Sequence, residues 1–193
     1  SVIRLPKQVQ PDHLPLDLMP LTIALSPDGS RCALGYPEAI EIMDLSSRKR
    51  EHTIKVSLSA GDILKFTPDG TALFHAGASK LFRFEKKQDY SKKNLWDYEA
   101  PLRNLTFSPD SRYIATSHVG NVVHVRNTQT GKSVKSWNAP EPIQGLGYSP
   151  NGKELNLLLQ GKASIWSTQD GKQLRQRKLN DRIFIHPDSP PPR

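Results

Sequence analysis

Basic side chains recur at one place in the repeated part of this chain, and their chemistry is the binding of anions. The net charge is +8, from 27 Lys and Arg against 19 Asp and Glu, a balance that favours nucleic acid, anionic surfaces or acidic proteins as partners. The candidates for a basic rim are Arg48, Lys49, Arg50, Lys86, Lys87, Lys92, Lys93, Lys172, Arg175, Arg177 and Lys178, with Lys132 and Lys135 at the same place in the third repeat. Such a rim would bind phosphates with strong salt dependence. The alternative interpretation is a solvated edge whose charges prevent aggregation.

Other residue types predict no chemistry of their own. The six histidines occupy different places in the repeat, with no spacing typical of a metal site. The single cysteine, Cys32, lies in a predicted strand and is expected to be a buried, inert thiol. There is no phosphate-binding loop and no nucleophile elbow. We therefore predict no catalytic residue, no metal and no cofactor within these residues.

Four copies of a short turn define the repeat in which the basic groups recur. Their prolines fall at 27, 68, 109 and 150, a step of 41 each time. Proline pre-sets φ at the second position of such a turn, Asp or Asn suits the third, and Gly suits a left-handed fourth position. The turn residues, for which a structural role is sufficient, are Pro27, Asp28, Gly29, Pro68, Asp69, Gly70, Pro109, Asp110, Pro150, Asn151 and Gly152.

Short strands surround each turn, and no segment shows a sustained helical period. Four strands per repeat and a period of about 40 to 45 residues are typical of one blade of a β-propeller. We predict an all-β propeller of four-stranded antiparallel blades. The expected divisions are an N-terminal strand and Pro-rich connection (1–20), four blades (21–60, 61–100, 101–140 and 141–180), and the start of a fifth blade with a Pro-rich tail (181–193).

The repeat resembles the WD40-repeat family over nearly the whole chain. The resemblance rests on the repeat length, on turns such as Phe107-Ser108-Pro109-Asp110, and on a third strand ending at Ile165-Trp166. The blades are divergent, because the family's Gly-His pair is missing and its Trp-Asp ending survives only in part, as in Met43-Asp44. Its usual Asp before the third strand is also absent, with Val119 in the third repeat. We therefore expect blades held mainly by apolar packing.

Four blades are fewer than the seven or eight usual in this family, so the sequence predicts an incomplete ring. Residues 182–189 imitate the segment 104–111 and begin a fifth blade, and Val2–Leu5 resembles the third strand of a preceding one. An isolated arc of blades would expose two large apolar faces. Three solutions remain open: a longer propeller, a second copy that completes the ring, or a different protein that covers the open faces.

The resemblance implies a non-enzymatic scaffold for protein–protein interaction within a larger protein or assembly. One alternative is a basic accessory subunit that contacts nucleic acid or a ribonucleoprotein. Another is a sensory or regulatory domain of a longer multidomain protein. The expected partners are other proteins or a second copy, with nucleic acid or an acidic surface possible at the basic rim. No apolar run is long enough to span a membrane, and we expect a cytoplasmic location.

Overall fold

The computed structural model describes residues 19–77, 79–98 and 101–179 and shows an all-β architecture of four antiparallel four-stranded sheets. We call these sheets blades 1 to 4 in chain order. Their strands are β1 (Thr22–Leu25), β2 (Arg31–Tyr36), β3 (Ala39–Asp44) and β4 (Lys49–Lys55); β5 (Ile63–Phe66), β6 (Ala72–Gly77), β7 (Lys80–Glu85) and β8 (Ser91–Asp97); β9 (Leu102–Phe107), β10 (Tyr113–His118), β11 (Val122–Asn127) and β12 (Ser133–Asn138); and β13 (Gly145–Tyr148), β14 (Glu154–Leu159), β15 (Lys162–Ser167) and β16 (Gln173–Lys178).

The strands of each blade follow one another in the sheet in the order of the sequence. Tight turns join consecutive strands, which is the simplest way to build an antiparallel sheet. In every blade the pairing of the third and fourth strands contains a register shift, as between Ile42 and Met43. The prediction of four-stranded antiparallel blades is confirmed, and the arrangement is that of an incomplete propeller whose sheets do not close into a ring.

The apolar core lies between neighbouring blades. Alternation along each strand sends one set of side chains to each face of its sheet. Residues of blades 1 and 2 form one buried cluster that includes Ile40 and Phe84, and blades 2 and 3 form another that includes Phe74 and Phe107. Blades 3 and 4 share a third, in which Val123 packs with Leu157. Each blade therefore depends on its neighbours for burial.

Helical structure is almost absent from the described residues, where a single 3-10 turn spans Lys86–Gln88. Lys86 and Lys87 therefore lie in this turn and not in a strand. The strand predicted at Val2–Leu5 and the fifth-blade segment at 182–189 lie outside the described residues. No helix in the described segments is long and apolar enough to cross a membrane.

Candidate interaction surfaces

The four proline turns have the same pattern of hydrogen bonds. In the first turn the Ser26 hydroxyl donates to the Asp28 carboxylate (2.6 Å) and accepts from the Arg31 backbone N–H (2.9 Å), while the Ser30 N–H donates to the same carboxylate (3.0 Å). The hydroxyls of Thr67, Ser108 and Ser149 make the corresponding bonds in the other three turns. These bonds satisfy the turn within a few residues, so the turn is a local structure.

The same hydrogen bonds lower the pKa of the turn carboxylates. The Ser26 hydroxyl, followed by the N–H and hydroxyl of Ser30, holds the pKa of Asp28 well below its ordinary value of 3.8. The Ser108 hydroxyl does the same to the pKa of Asp110. Burial opposes the shift at Asp69, but hydrogen bonds from Thr67 and Thr71 still lower the pKa of this carboxyl. A role in holding the turn therefore accounts for each of these acids.

The fourth position of each turn has the left-handed backbone that the sequence predicts. Its φ values are +68° at Gly29, +67° at Gly70 and +71° at Gly152, and Ser111 adopts +60° in the third turn. A non-glycine residue is uncommon in this region. The Ser111 hydroxyl accepts a hydrogen bond from the Asp69 backbone N–H of the preceding blade (3.0 Å). This serine therefore joins blades 2 and 3, which the sequence reasoning did not recognise.

The outer strands carry a repeated contact between blades. His52 of β4 bonds to Asp89 of blade 2 (2.9 Å), and Lys93 of β8 donates to the Gln129 carbonyl oxygen of blade 3 (2.9 Å). Lys135 of β12 donates to the Gln169 carbonyl oxygen of blade 4 (3.0 Å). In each case a nitrogen of the fourth strand reaches the turn between the third and fourth strands of the next blade.

The strand registers show that these three donors occupy equivalent places. His52, Lys93 and Lys135 pair with Ile42, Arg83 and Val125, which are themselves equivalent residues of the third strands; the corresponding pair in blade 4 is Arg175 with Ile165. The spacing of 41 and 42 residues between the three donors is the signal in the sequence that could have revealed the series. Arg175 instead donates to the Glu154 carboxylate of its own blade (3.0 Å).

Each blade has two faces, which we name by the neighbour they meet. The leading face packs against the preceding blade and carries, in blade 2, Leu64 and Phe66 of the innermost strand. The trailing face packs against the following blade and carries, in blade 1, Ala33 and Ile40. The described residues include no blade before blade 1 and none after blade 4, so these two end faces are the candidate interaction surfaces.

The leading face of blade 1 is apolar and partly exposed. Ile23 is 59% exposed and Leu25 57%, whereas the equivalent Leu64 and Phe66 of blade 2 are 5% and 6% exposed. Behind them on the same face, Cys32 is buried, and burial raises the pKa of its thiol. Exposed aliphatic side chains at positions that neighbouring blades bury are typical of an interaction surface.

The trailing face of blade 4 is more polar. Leu158 is 41% exposed and shares the face with Asn156 and Ile165, and the Arg175–Glu154 pair lies at its outer side. The equivalents of Leu158 in blades 1 to 3 are Gly35, Ala76 and Ser117. This face therefore presents both apolar and hydrogen-bonding groups.

The residues of the predicted basic rim lie on the outer strands and on the turns that precede them. Five of the eleven are used within the fold: Arg50 binds the buried Glu41, Lys92 lies over the Phe82 ring, Lys93 reaches Gln129, Lys172 is near Asp170, and Arg175 binds Glu154. In the described structure the side chains of the other six make no hydrogen bond or ion pair: Arg48, Lys49, Lys86, Lys87, Arg177 and Lys178. Binding of an anionic partner at this rim stays a prediction.

A cleft lies between blades 3 and 4 on the side of the proline turns, with Tyr113, Val125 and Tyr148 in its lining. The Tyr148 hydroxyl is buried and has no hydrogen-bond partner among the described residues, and burial raises its pKa. Across the described segments, no three His, Cys, Asp or Glu side chains converge as metal ligands would.

Comparison with known proteins gives partial matches at low identity. A segment of 93 residues, 48% of the chain, is 26% identical to eukaryotic translation initiation factor 3 subunit I of Aspergillus fumigatus and covers 27% of that protein. A segment of 78 residues is 31% identical to human WD repeat-containing protein 90, and one of 72 residues is 32% identical to a Leishmania braziliensis ribosome biogenesis protein BOP1 homologue. These segments cover 39% and 36% of the chain, and 4% and 10% of the relatives. The likeness is to WD-repeat proteins.

The fold comparison agrees with the architecture described above. A chain of Kuenenia stuttgartiensis hydrazine synthase superimposes with a TM-score of 0.69 at 21% identity, over 86% of this chain and 51% of that one. At this identity the match concerns the fold alone. No protein-family model matches the chain. The chain thus spans about a quarter of the length of the initiation-factor subunit and about half of the hydrazine synthase chain.

Proposed function

We propose that this chain is a non-enzymatic WD40-like propeller module that serves as a scaffold for protein–protein interaction. It acts within a larger protein or assembly, and its partner is another protein or a second copy of the chain. The observation that carries the proposal is the exposure of Ile23 and Leu25 at positions where blade 2 buries Leu64 and Phe66. We place this activity in the cytoplasm.

The energetic reason is the hydrophobic effect. Complete burial of a Leu or Ile side chain stabilises a structure by about 1.5–3 kcal/mol relative to exposure. Ile23 and Leu25 lie side by side on one face, because their register partners Leu34 and Cys32 are alternate residues of β2. A partner that covers both side chains would therefore gain a substantial part of its binding free energy at this one place.

The names of the relatives support a role in an assembly. The initiation factor 3 relative is named as a subunit. Because the matched segments cover only a small part of these relatives, the activity of the whole protein is also a proposal. The proposed contribution of these residues is a docking surface.

The experiment is affinity purification of the tagged chain from cells, with a surface variant and a matched control. The variant is Ile23→Glu with Leu25→Glu, which puts two charges on the leading face of blade 1. The control is Val134→Glu, because Val134 is also exposed (51%) but lies on β12 of blade 3, which has a described blade on each side. Gel filtration measures the size of the assembly, mass spectrometry identifies its members, and thermal unfolding checks that both variants fold.

We expect the unmodified chain and Val134→Glu to elute in the assembly and the double variant to be lost from it. Recovery of the unmodified chain as single chains alone would contradict the proposal. Retention of the double variant in the same assembly would show that the partner binds elsewhere.

A further inference from the structure

The chain carries both halves of the contact that joins its own blades. Three such contacts are formed inside the molecule, each between the trailing face of one blade and the leading face of the next. Within the described residues, blade 4 ends the series with a trailing face and blade 1 begins it with a leading face. If one contact pattern is used three times, its two unused halves are candidates for each other.

The outer part of the pattern supports this match. The donors His52, Lys93 and Lys135 each reach the turn that follows the third strand of the next blade. Arg175 is the fourth member of the series by register, since it pairs with Ile165. Its side chain is half exposed, and its Glu154 partner lies near the surface. An exposed pair of this kind is weak, so Arg175 can exchange Glu154 for another acceptor at little cost.

The matching acceptor lies in blade 1. Gln129 and Gln169, whose carbonyl oxygens accept from Lys93 and Lys135, come two residues after the last residues of β11 and β15, Asn127 and Ser167. The residue two places after the end of β3 is Ser46. A backbone carbonyl at this place is therefore the counterpart of Arg175.

The proline turns give an independent indication. A Cβ placed on Gly70 would lie 3.7 Å from Cδ of Pro27 in the preceding blade, and one on Gly152 would lie 3.5 Å from Cδ of Pro109. The equivalent glycine of blade 1 is Gly29, where a Cβ would meet no atom within 4 Å. If the pattern continued from blade 4 of one copy to blade 1 of another, Pro150 would fill this space.

We propose that the partner at these faces is a second copy of this chain, bound head to tail. The trailing face of blade 4 in one copy packs against the leading face of blade 1 in the other. Arg175 donates to the Ser46 carbonyl oxygen of the second copy, and Ile23 and Leu25 of that copy bury against Leu158 and Ile165. Two such contacts related by a twofold axis close the pair and cover both end faces of the described blades. This proposal rests on the proposed function, because it names the partner of the same surface.

Cross-linking between two differently labelled positions tests the geometry directly. Cys32 is the only cysteine of the sequence, so Cys32→Ala gives a background without thiols. On that background one chain carries Ser46→Cys and a second carries Arg175→Cys, and the two are mixed and treated with a short bifunctional maleimide. The control replaces Arg175→Cys by Lys135→Cys, because Lys135 has the equivalent place in blade 3 but faces Gln169 of its own chain.

We expect a covalent dimer from the mixture of Ser46→Cys and Arg175→Cys and a several-fold lower yield from the control pair. Neither single variant alone should give this product, because the linked residues come from different positions in the two copies. Light scattering of the unmodified chain should give twice the mass of one chain, and Ile23→Glu with Leu25→Glu should return it to one. Denaturing electrophoresis and peptide mass spectrometry identify the linked residues.

A solution mass of one chain, or equal yields from the two mixtures, would overturn the second copy as partner. The purification experiment described under Proposed function separates this result from failure of the scaffold itself. If the unmodified chain purifies with other proteins and the double variant does not, the interaction surface stands and only the identity of the protein bound to it is wrong.

Discussion

Leu25 and Phe66 occupy the same place in two consecutive blades, yet one is 57% exposed and the other 6%. Both end the innermost strand of a four-stranded sheet, and both point to the leading face. The difference comes from the neighbour, since blade 2 has blade 1 before it. The strands of a blade pair only with one another, but the faces of a blade are buried only through the blades on either side. The largest effects of mutation are therefore expected at the contacts between blades.

The largest expected effect is that of Phe66→Ala compared with Leu25→Ala. Loss of the buried Phe66 ring should lower the free energy of unfolding by about 3–5 kcal/mol, because it removes apolar contacts and leaves a cavity. Leu25→Ala should change it by about 0.5 kcal/mol or less, as is usual for exposed side chains. Urea denaturation of the chain in dilute solution measures both. Equal losses would mean that Leu25 is covered in the free chain.

An intermediate effect is expected for Arg83→Met compared with Arg175→Met. Arg83 is buried between blades 2 and 3. It donates to the Thr128 carbonyl oxygen (3.1 Å) and to the Glu85 carboxylate (3.1 Å). Its replacement leaves a buried carbonyl without a partner and should cost about 1–3 kcal/mol. Arg175 forms an exposed pair on the trailing face of blade 4, and its replacement should cost about 0–1 kcal/mol.

The same denaturation assay ranks these two arginine variants. A loss at Arg175 as large as that at Arg83 would show that the trailing face of blade 4 is already covered under the conditions used. Repeating the measurement at increasing chain concentration would then reveal whether a second copy covers it.

The smallest effect concerns the acid dependence of stability at the proline turns. The pKa of Asp28 and of Asp110 is lowered in the folded chain, so each carboxylate stabilises the fold above the ordinary value near 3.8. This contribution is lost as the pH falls below that value towards the folded pKa. Asp28→Asn and Asp110→Asn should each make the decrease of the melting temperature between about pH 4 and pH 2 shallower.

The fourth turn provides the natural reference for this measurement, because Asn151 already holds the place of the aspartate and accepts from Ser149 (2.8 Å). Equal effects of Asp28→Asn and Asp110→Asn would show that the turn is independent of a preceding blade, in contrast to the apolar faces. A larger effect at Asp110 would mean that the contact between blades strengthens its turn.

Much of the blade could be predicted from the sequence. The step of 41 residues and the order of Ser or Thr, Pro, Asp or Asn, and Gly or Ser predict the turns, and the structure confirms their left-handed fourth position at Gly29, Gly70 and Gly152. The strands between them follow from short apolar runs. The role of Ser111 was not predicted, because its bond to Asp69 joins residues 42 positions apart.

The candidate surfaces were harder to predict. The sequence indicated two open faces but could not show which residues of those faces stay exposed. The sequence grouped the basic residues as one rim. In the structure Lys93 donates across the contact between blades 2 and 3, whereas Arg175 donates to Glu154 on the trailing face of blade 4. The sequence identifies which residues are positively charged, but the folded structure decides which acceptor each of them contacts.

By itself the sequence determined the blade, because the bonds that form a turn and align two adjacent strands connect residues close in the chain. Only the tertiary structure decided which face of each blade is buried and which cations hold two blades together. The physical reason is distance along the chain: Lys93 and Lys135 meet carbonyl oxygens 36 and 34 residues away. Leu25 and Phe66 have the same place in their strands. A described blade precedes Phe66 and none precedes Leu25, so Phe66 lies in the core and Leu25 at the surface.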